Sequence, residues 1–335
     1  MRENTIANYG NAREEYDRVR SGTGIMDIRH RGWLKLCGKD VKSFLHALAT
    51  QEFKNLPDNT VTHTAFTNVK ARMIADCIVY AFEDFILLSC ERVCTKPLLA
   101  HLDKYLIAED VVIEDVTEIF FGHYIMGKNA VPLTEKVLNV RMDAPRCACA
   151  VKWRDTTVWC GRKDMGEFPG VMLFVGAAHG TALWEAFLQT DSALTPFGMD
   201  AYEVLRIEAG IPRFGIDISE DHIFPETGLE HAVSYTKGCY LGQETVIRVK
   251  HQGHVNKQVV QMKLDTTEPV PSGTKVYEGS PQSKKEGGLI TSSCFSPEFN
   301  AVIALGTLRR ECLHDWANVF VETQNGILPA QLLRK

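Results

Sequence analysis

The chain has 335 residues, with 37 Lys and Arg against 42 Asp and Glu, a formal net charge of −5. Apolar residues make up 45% and charged residues 24%, an ordinary globular composition that excludes a disordered or fibrous chain. The acidic balance argues against a dedicated basic nucleic-acid binder, and no apolar run reaches the ~18 residues of a membrane span.

At roughly 150 residues per domain the length implies about two domains. The closest approach to an apolar span, Gly170 to Leu188, is broken by His179, Gly180 and Glu185. The opening Met1-Arg2-Glu3-Asn4, followed by Glu14, Glu15 and Asp17, fits neither a secretory signal nor a transit peptide. A cytoplasmic protein is therefore expected. The 10 cysteines include no C-x-x-C pair, and the Cys90/Cys94 and Cys147/Cys149 spacings match no zinc framework. In a reducing compartment most should be inert, buried thiols.

In chain order, Trp33–Leu36 reads as a strand. Val41–Leu48 carries apolar residues at helical spacing behind Gly38 and a capping Asp40. Ile74–Tyr80 and Phe85–Ser89, separated by Glu83-Asp84, form an expected hairpin. Val93–Leu106 reads as a helix. Val111–Ile113, Val116 onward, Val151–Cys160 and Val171–Val175 read as strands, and Leu183–Leu188 as part of a helix. Strands and helices interleave without a fixed period, which favours α+β over a regular parallel sheet. From Gln258 the runs Val259–Leu264, Thr274–Tyr277, Ala301–Leu305 and Val319–Glu322 alternate with turns, the most polar being Gly279–Gly288. They suggest a small all-β barrel or sandwich, with a boundary near residue 255.

Three segments carry chemistry. Ala201–Glu208 is a helix capped by Asp200, with Glu203 closing a capping box and Gly210 and Pro212 ending it. Glu208 continues the apolar stripe into the last turn, where a carboxylate meets the negative end of the helix dipole. It requires a compensating donor: a structural Arg, solvent, or a ligand. In the second, Lys237-Gly-Cys-Tyr-Leu-Gly-Gln-Glu244, two glycines frame a turn into a helix. Cys239, near a helix start and beside Lys237, is either an activated thiol (nucleophile, redox group or metal ligand) or a structural one. In the third, Asn68–Tyr80, Asp76 stands inside an apolar strand. There it either faces water from an edge strand or pairs with Arg72. His251 and His254 make only half a metal site. Arg248, Lys250 and Lys257 form a local basic cluster that reads as a solvated face or as a site for an anionic tail. Gly22-Thr23-Gly24 is too slight for a phosphate loop.

Together these segments resemble the aminomethyltransferase (glycine cleavage T-protein) superfamily. Lys-Gly-Cys-Tyr-x-Gly-Gln-Glu at 237–244 resembles the signature of its YgfZ-type folate-binding branch. Arg206–Gly210, Gly24–Asp27 and the Gly38–Leu45 run fit the same pattern from about residue 10 to the end, weakening after 260. The resemblance implies a split N-terminal domain and a ferredoxin-like domain within residues 1–254, then a β-barrel over 255–335, arranged as a ring about a tetrahydrofolate channel. It implies Glu208 as the carboxylate that holds the pterin and Asp76 near the transferred one-carbon unit. Arg72, Lys237 and Tyr240 join the folate-binding set, and Cys239 is the reactive thiol. Ala71-Arg72 departs from the T-protein Gly-Gly run, and Cys239 has no T-protein counterpart. The leading expectation is therefore a monomeric, tetrahydrofolate-binding protein that assists iron–sulfur client enzymes and, through them, tRNA modification, with no membrane or direct nucleic-acid partner. The alternative is a folate-dependent aminomethyl or methyl transferase. A folate-gated scaffold, binding partners through the Arg248–Lys257 surface, is a third.

Overall fold

The computed structural model describes residues 5–279, 285–313, 319–324 and 326–333. In chain order the elements are α1 (Ala12–Ser21), β1 (Thr23–Asp27), β2 (Arg31–Cys37), α2 (Val41–Leu48), β3 (Thr60–Thr67), β4 (Met73–Ala81), β5 (Ile86–Glu91), α3 (Arg92–Tyr105), β6 (Val112–Asp115), β7 (Phe120–Gly127), α4 (Ala130–Leu138), β8 (Ala148–Trp153), β9 (Thr156–Arg162), β10 (Gly170–Gly176), α5 (Gly180–Thr190), β11 (Thr195–Pro196), α6 (Met199–Glu208), α7 (Gln243–Gln252), β12 (Lys257–Leu264), β13 (Lys275–Glu278), β14 (Lys285–Ser296), β15 (Ala301–Arg309), β16 (Val319–Thr323) and β17 (Gly326–Leu333). The class is α+β. Two compact units emerge. The first comprises Met1–Phe66, Ala75–Tyr202 and Ala232–Tyr240, and the second Thr67–Ile74, Glu203–His231 and Leu241–Lys335.

The first unit contains a six-stranded sheet, β11-β1-β7-β10-β9-β8, and a five-stranded sheet, β3-β4-β5-β2-β6. Leu133 and Leu138 of α4 and Leu183 and Phe187 of α5 bury against Ile125 and Leu173 of the first sheet. The other face of that sheet meets the second sheet through aromatic rings. Trp33 of β2 and Tyr80 of β4 approach Phe174 of β10 edge-on, with centroids 5.7 and 5.0 Å apart, a favourable quadrupole geometry. Gly161 makes room, since a Cβ there would stand 2.5 Å from the Tyr80 ring. Val41, Phe44, Leu45 and Leu48 of α2 are buried, as the helical spacing requires.

The second unit contains the expected barrel, closed in the order β12-β15-β14-β13-β16-β17. It closes where Gln261–Leu264 pairs with Ala330–Leu333. Met262, Val276, Ile290, Val302, Leu308 and Val321 fill its core.

Several expectations need correction. Val116 does not begin a strand. Its N–H bonds Trp33 and its carbonyl accepts from Ile119 and Phe120, forming a turn before β7. Val151–Cys160 is not one strand but the hairpin β8–β9, turning at Arg154 with φ 55°. Helix α6 starts at Met199, so Asp200 lies in its first turn and not at the expected N-cap. The reason is that the carbonyls of Ile6 and Ala7 already accept from the N–H groups of Met199 and Asp200, so no side-chain cap is required there. Of the polar stretch Gly279–Gly288, residues 280–284 lie outside the described residues, and Lys285 onward belongs to β14. No helix among the described residues is long and apolar enough to cross a membrane.

Candidate functional site

Asp76 is not on an edge. Strand β4 lies between β3 and β5, and the Asp76 side chain is 20% exposed. Its Oδ1 lies 2.5 Å from His63 Nε2 on β3. Burial pushes the Asp76 carboxyl up. His63, by charge and hydrogen bond, and the Arg31 and Lys163 cations outweigh burial and leave it below the ordinary value. Arg31 is itself fixed, with Nε and Nη2 donating to Ser89 Oγ and its carbonyl at 2.9 Å and Nη1 to Glu91 at 3.0 Å. Lys163 is held below its usual value by burial, partly offset by Asp76. The result is a half-buried carboxylate kept ionised among cations. Such a group is well suited to stabilising positive charge and is a poor proton carrier.

The alternative, a pairing of Arg72 with Asp76, does not occur either. Arg72 Nη1 donates to the Glu220 carbonyl at 3.3 Å and lies 3.9 Å from Asp221. Arg72 sits on the Asn68–Arg72 turn, whose backbone pairs with Ile223. It lines a cavity of about 660 Å³ with Asp221, Lys257, Arg309 and Arg310. Lys257 donates to the Asp221 carbonyl and Lys250 pairs with Glu230, so this basic cluster is largely matched on the protein itself.

Glu208 ends α6. One donor that compensates it is Ser296, whose hydroxyl donates to Glu208 Oε1. Gln261 Nε2 donates to the Ile207 and Glu208 carbonyls at 2.6 and 2.8 Å, satisfying helix-end acceptors. A carboxylate at the negative dipole end is thereby fixed in place. Arg206 is anchored elsewhere. Fully buried, Arg206 binds Glu203 and donates to Asp217 Oδ2 at 2.6 Å. Asp217 Oδ1 accepts from both Thr291 and Ser292 at 2.6 Å. Consecutive strand residues normally face opposite ways. The register shift in β14 between Ile290 and Ser292 lets both hydroxyls reach one oxygen. The Arg-x-Glu-Ala-Gly run is thus an anchor (Arg206) two residues before a presented carboxylate (Glu208).

In the 237–244 segment, Lys237 is 7% exposed. Its ammonium donates to the carbonyls of His46, Ala49 and Gln51 at 2.6, 2.7 and 2.8 Å. Burial pulls it down to about 8, so it is still an ammonium at neutral pH. All three donors are committed to these carbonyls, so Lys237 is a structural staple. It also lies 4.8 Å from the centroid of the buried Tyr240 ring, whose hydroxyl has no hydrogen-bond partner among the described residues. Cys239 is the one exposed cysteine of the ten. Helix α7 begins only at Gln243, after Gly242 at φ 84°, so Cys239 precedes the helix by four residues rather than sitting in its first turn. No group of three or more His, Cys, Asp or Glu among the described residues is placed to hold a metal ion.

Residues 8–237 match the GCVT N-terminal domain and residues 257–335 the glycine cleavage T-protein C-terminal barrel domain. The chain belongs to the glycine cleavage T-protein family. Proteins named aminomethyltransferase align with nearly all of this chain. One from Caldanaerobacter subterraneus subsp. tengcongensis is 26% identical over 96% of this chain and 86% of its own. One from Oceanobacillus iheyensis is 26% identical over 97% of this chain and 89% of its own. The T-protein fold is matched by the crystal structure of glycine cleavage system aminomethyltransferase T from Bartonella henselae, with a TM-score of 0.89, 19% identity, and coverage of 98% of this chain and 90% of that one.

Ala71 is fully buried and holds φ 60°, a left-handed conformation that glycine adopts at no steric cost. The turn is therefore kept here by an alanine at some steric cost. Sequence reasoning missed His63, Arg31 and Lys163. No local pattern marks His63, whose contact with Asp76 crosses from β3 to β4.

Proposed function

We propose that this T-protein family member is a folate-dependent one-carbon transferase, moving an aminomethyl or methyl group to tetrahydrofolate. The observation that carries this reading is Asp76, a carboxylate held ionised by His63, Arg31 and Lys163 in a half-buried cluster. A depressed carboxyl is a weak acid–base catalyst at neutral pH but an effective fixed charge for a cation forming at a one-carbon nitrogen. Glu208 supplies the second element. A carboxylate fixed by Ser296 suits the adjacent amino and ring N–H donors of a pterin. The aminomethyltransferase names of the full-length relatives support the same choice.

The test is product formation from an aminomethyl donor and tetrahydrofolate, followed by mass spectrometry of the folate. Asp76→Asn should lower turnover by about 100-fold or more, and Cys239→Ser should leave it within about twofold. No product from the intact chain would refute the transferase reading.

A second reading is favoured by one observation, the exposure of Cys239 within the YgfZ-type signature. It makes the chain a folate-binding factor for iron–sulfur enzymes, with tRNA modification downstream. In complemented cells it requires the reverse pattern: iron–sulfur enzyme activity lost with Cys239→Ser and retained with Asp76→Asn.

A further inference from the structure

The β8–β9 hairpin places Cys149 directly opposite Cys160. Their sulfur atoms are 3.1 Å apart. Directly opposed residues of antiparallel strands have Cα atoms about 4.5–5.5 Å apart, within the about 4.4–6.8 Å of disulfides. Closing the bond therefore requires about 1 Å of sulfur approach. Access is asymmetric. Strand β8 is the outermost of its sheet, Cys149 is half-buried, and Cys160 beside it is buried. The second thiol cluster, Cys77, Cys90 and Cys94, has all three members buried, with no half-exposed member for a reagent to meet first.

We propose that Cys149 and Cys160 form a dithiol modification site that a low-molecular-weight disulfide, such as glutathione disulfide, oxidises to an intramolecular bridge. The Cys149 thiolate attacks one sulfur of the reagent, forming a mixed disulfide and releasing one thiolate. Cys160, deprotonated in turn, attacks Cys149 Sγ and expels the second thiolate. Two protons leave the protein, two thiols of the reagent form, and the protein loses two hydrogen atoms. The Cys160 hydrogen bond draws the Cys149 thiol below its ordinary value, which fits Cys149 as the attacking sulfur. The site is independent of folate and of Asp76.

The experiment uses the full-length Cys239→Ser protein, which removes the exposed thiol. It is treated with glutathione disulfide, alkylated, digested without reduction and mapped by mass spectrometry. The expected result is a peptide pair linked through Cys149 and Cys160 that dithiothreitol separates. Cys160→Ser in the same background should instead trap a stable glutathione adduct on Cys149. Should that variant fail to fold, the linkage map of its parent decides alone. Full alkylation of both Cys149 and Cys160 after treatment, or a bridge joining any other pair, would overturn the proposal.

Discussion

His63 on β3 grips Asp76 on β4, Nε2 to Oδ1 at 2.5 Å. The imidazole orients the carboxylate and helps hold it charged against the burial that would neutralise it. His63→Ala should therefore raise the Asp76 pKa, read by carboxyl-carbon NMR, and lower kcat more than it changes KM. His63→Gln, which restores a donor, should recover part of the loss. Unchanged Asp76 titration in His63→Ala would show the contact to be incidental.

The depressed Asp76 carboxyl has a signed consequence for stability. The folded state keeps it ionised where the unfolded chain, near the ordinary ~3.9, begins to take a proton. Its contribution is fully present above about pH 4 and is lost as pH falls through the lower folded value. The stability difference between the intact chain and Asp76→Asn should stay flat from about pH 5 to 7 and shrink below about pH 4. Denaturant unfolding across that range measures it. Shrinkage already near neutral pH would mean a raised pKa.

Arg206 is buried between Glu203 and Asp217. Removing one partner of a buried pair strands the other charge. Arg206→Met should destabilise the second unit by about 3–5 kcal/mol. It should also broaden NMR signals from Thr291 and Ser292, which share Asp217. A loss under about 1 kcal/mol would mean that solvent compensates Asp217.

Lys237 and Cys239 separate cleanly although two residues apart. Lys237→Met leaves three carbonyls without their donor, at about 1–3 kcal/mol for each group left buried. It should lower Tm markedly. Cys239→Ser changes an exposed side chain and should leave Tm within a degree or two. Equal effects in a thermal melt would contradict the staple role of Lys237.

Local signals were legible where one element explains itself. Val41–Leu48 is the helix its apolar spacing describes, and the barrel follows from short runs punctuated by turns. What escaped depends on distant partners. The start of α6 is set by carbonyls of Ile6 and Ala7, nearly two hundred residues away in sequence, so the capping-box signal at Asp200 and Glu203 misled. Arg154, with no glycine to mark it, hid the turn inside Val151–Cys160. Glu208 was identified from its unfavourable dipole position, but Ser296, a donor to it, lies on a barrel strand that no local pattern connects to α6. Lys237 was read as an activator of Cys239 because sequence shows neighbours along the chain, not the three carbonyls that take its charge.

Calorimetric titration of the purified chain with tetrahydrofolate, beside Glu208→Ala, probes folate anchoring most directly. Saturable binding by the intact chain, weakened about 10–100-fold in the variant, is expected from charge-assisted hydrogen bonds worth about 1.5–3 kcal/mol. No saturable binding by the intact chain, or equal binding by both proteins, would contradict a pterin held at Glu208.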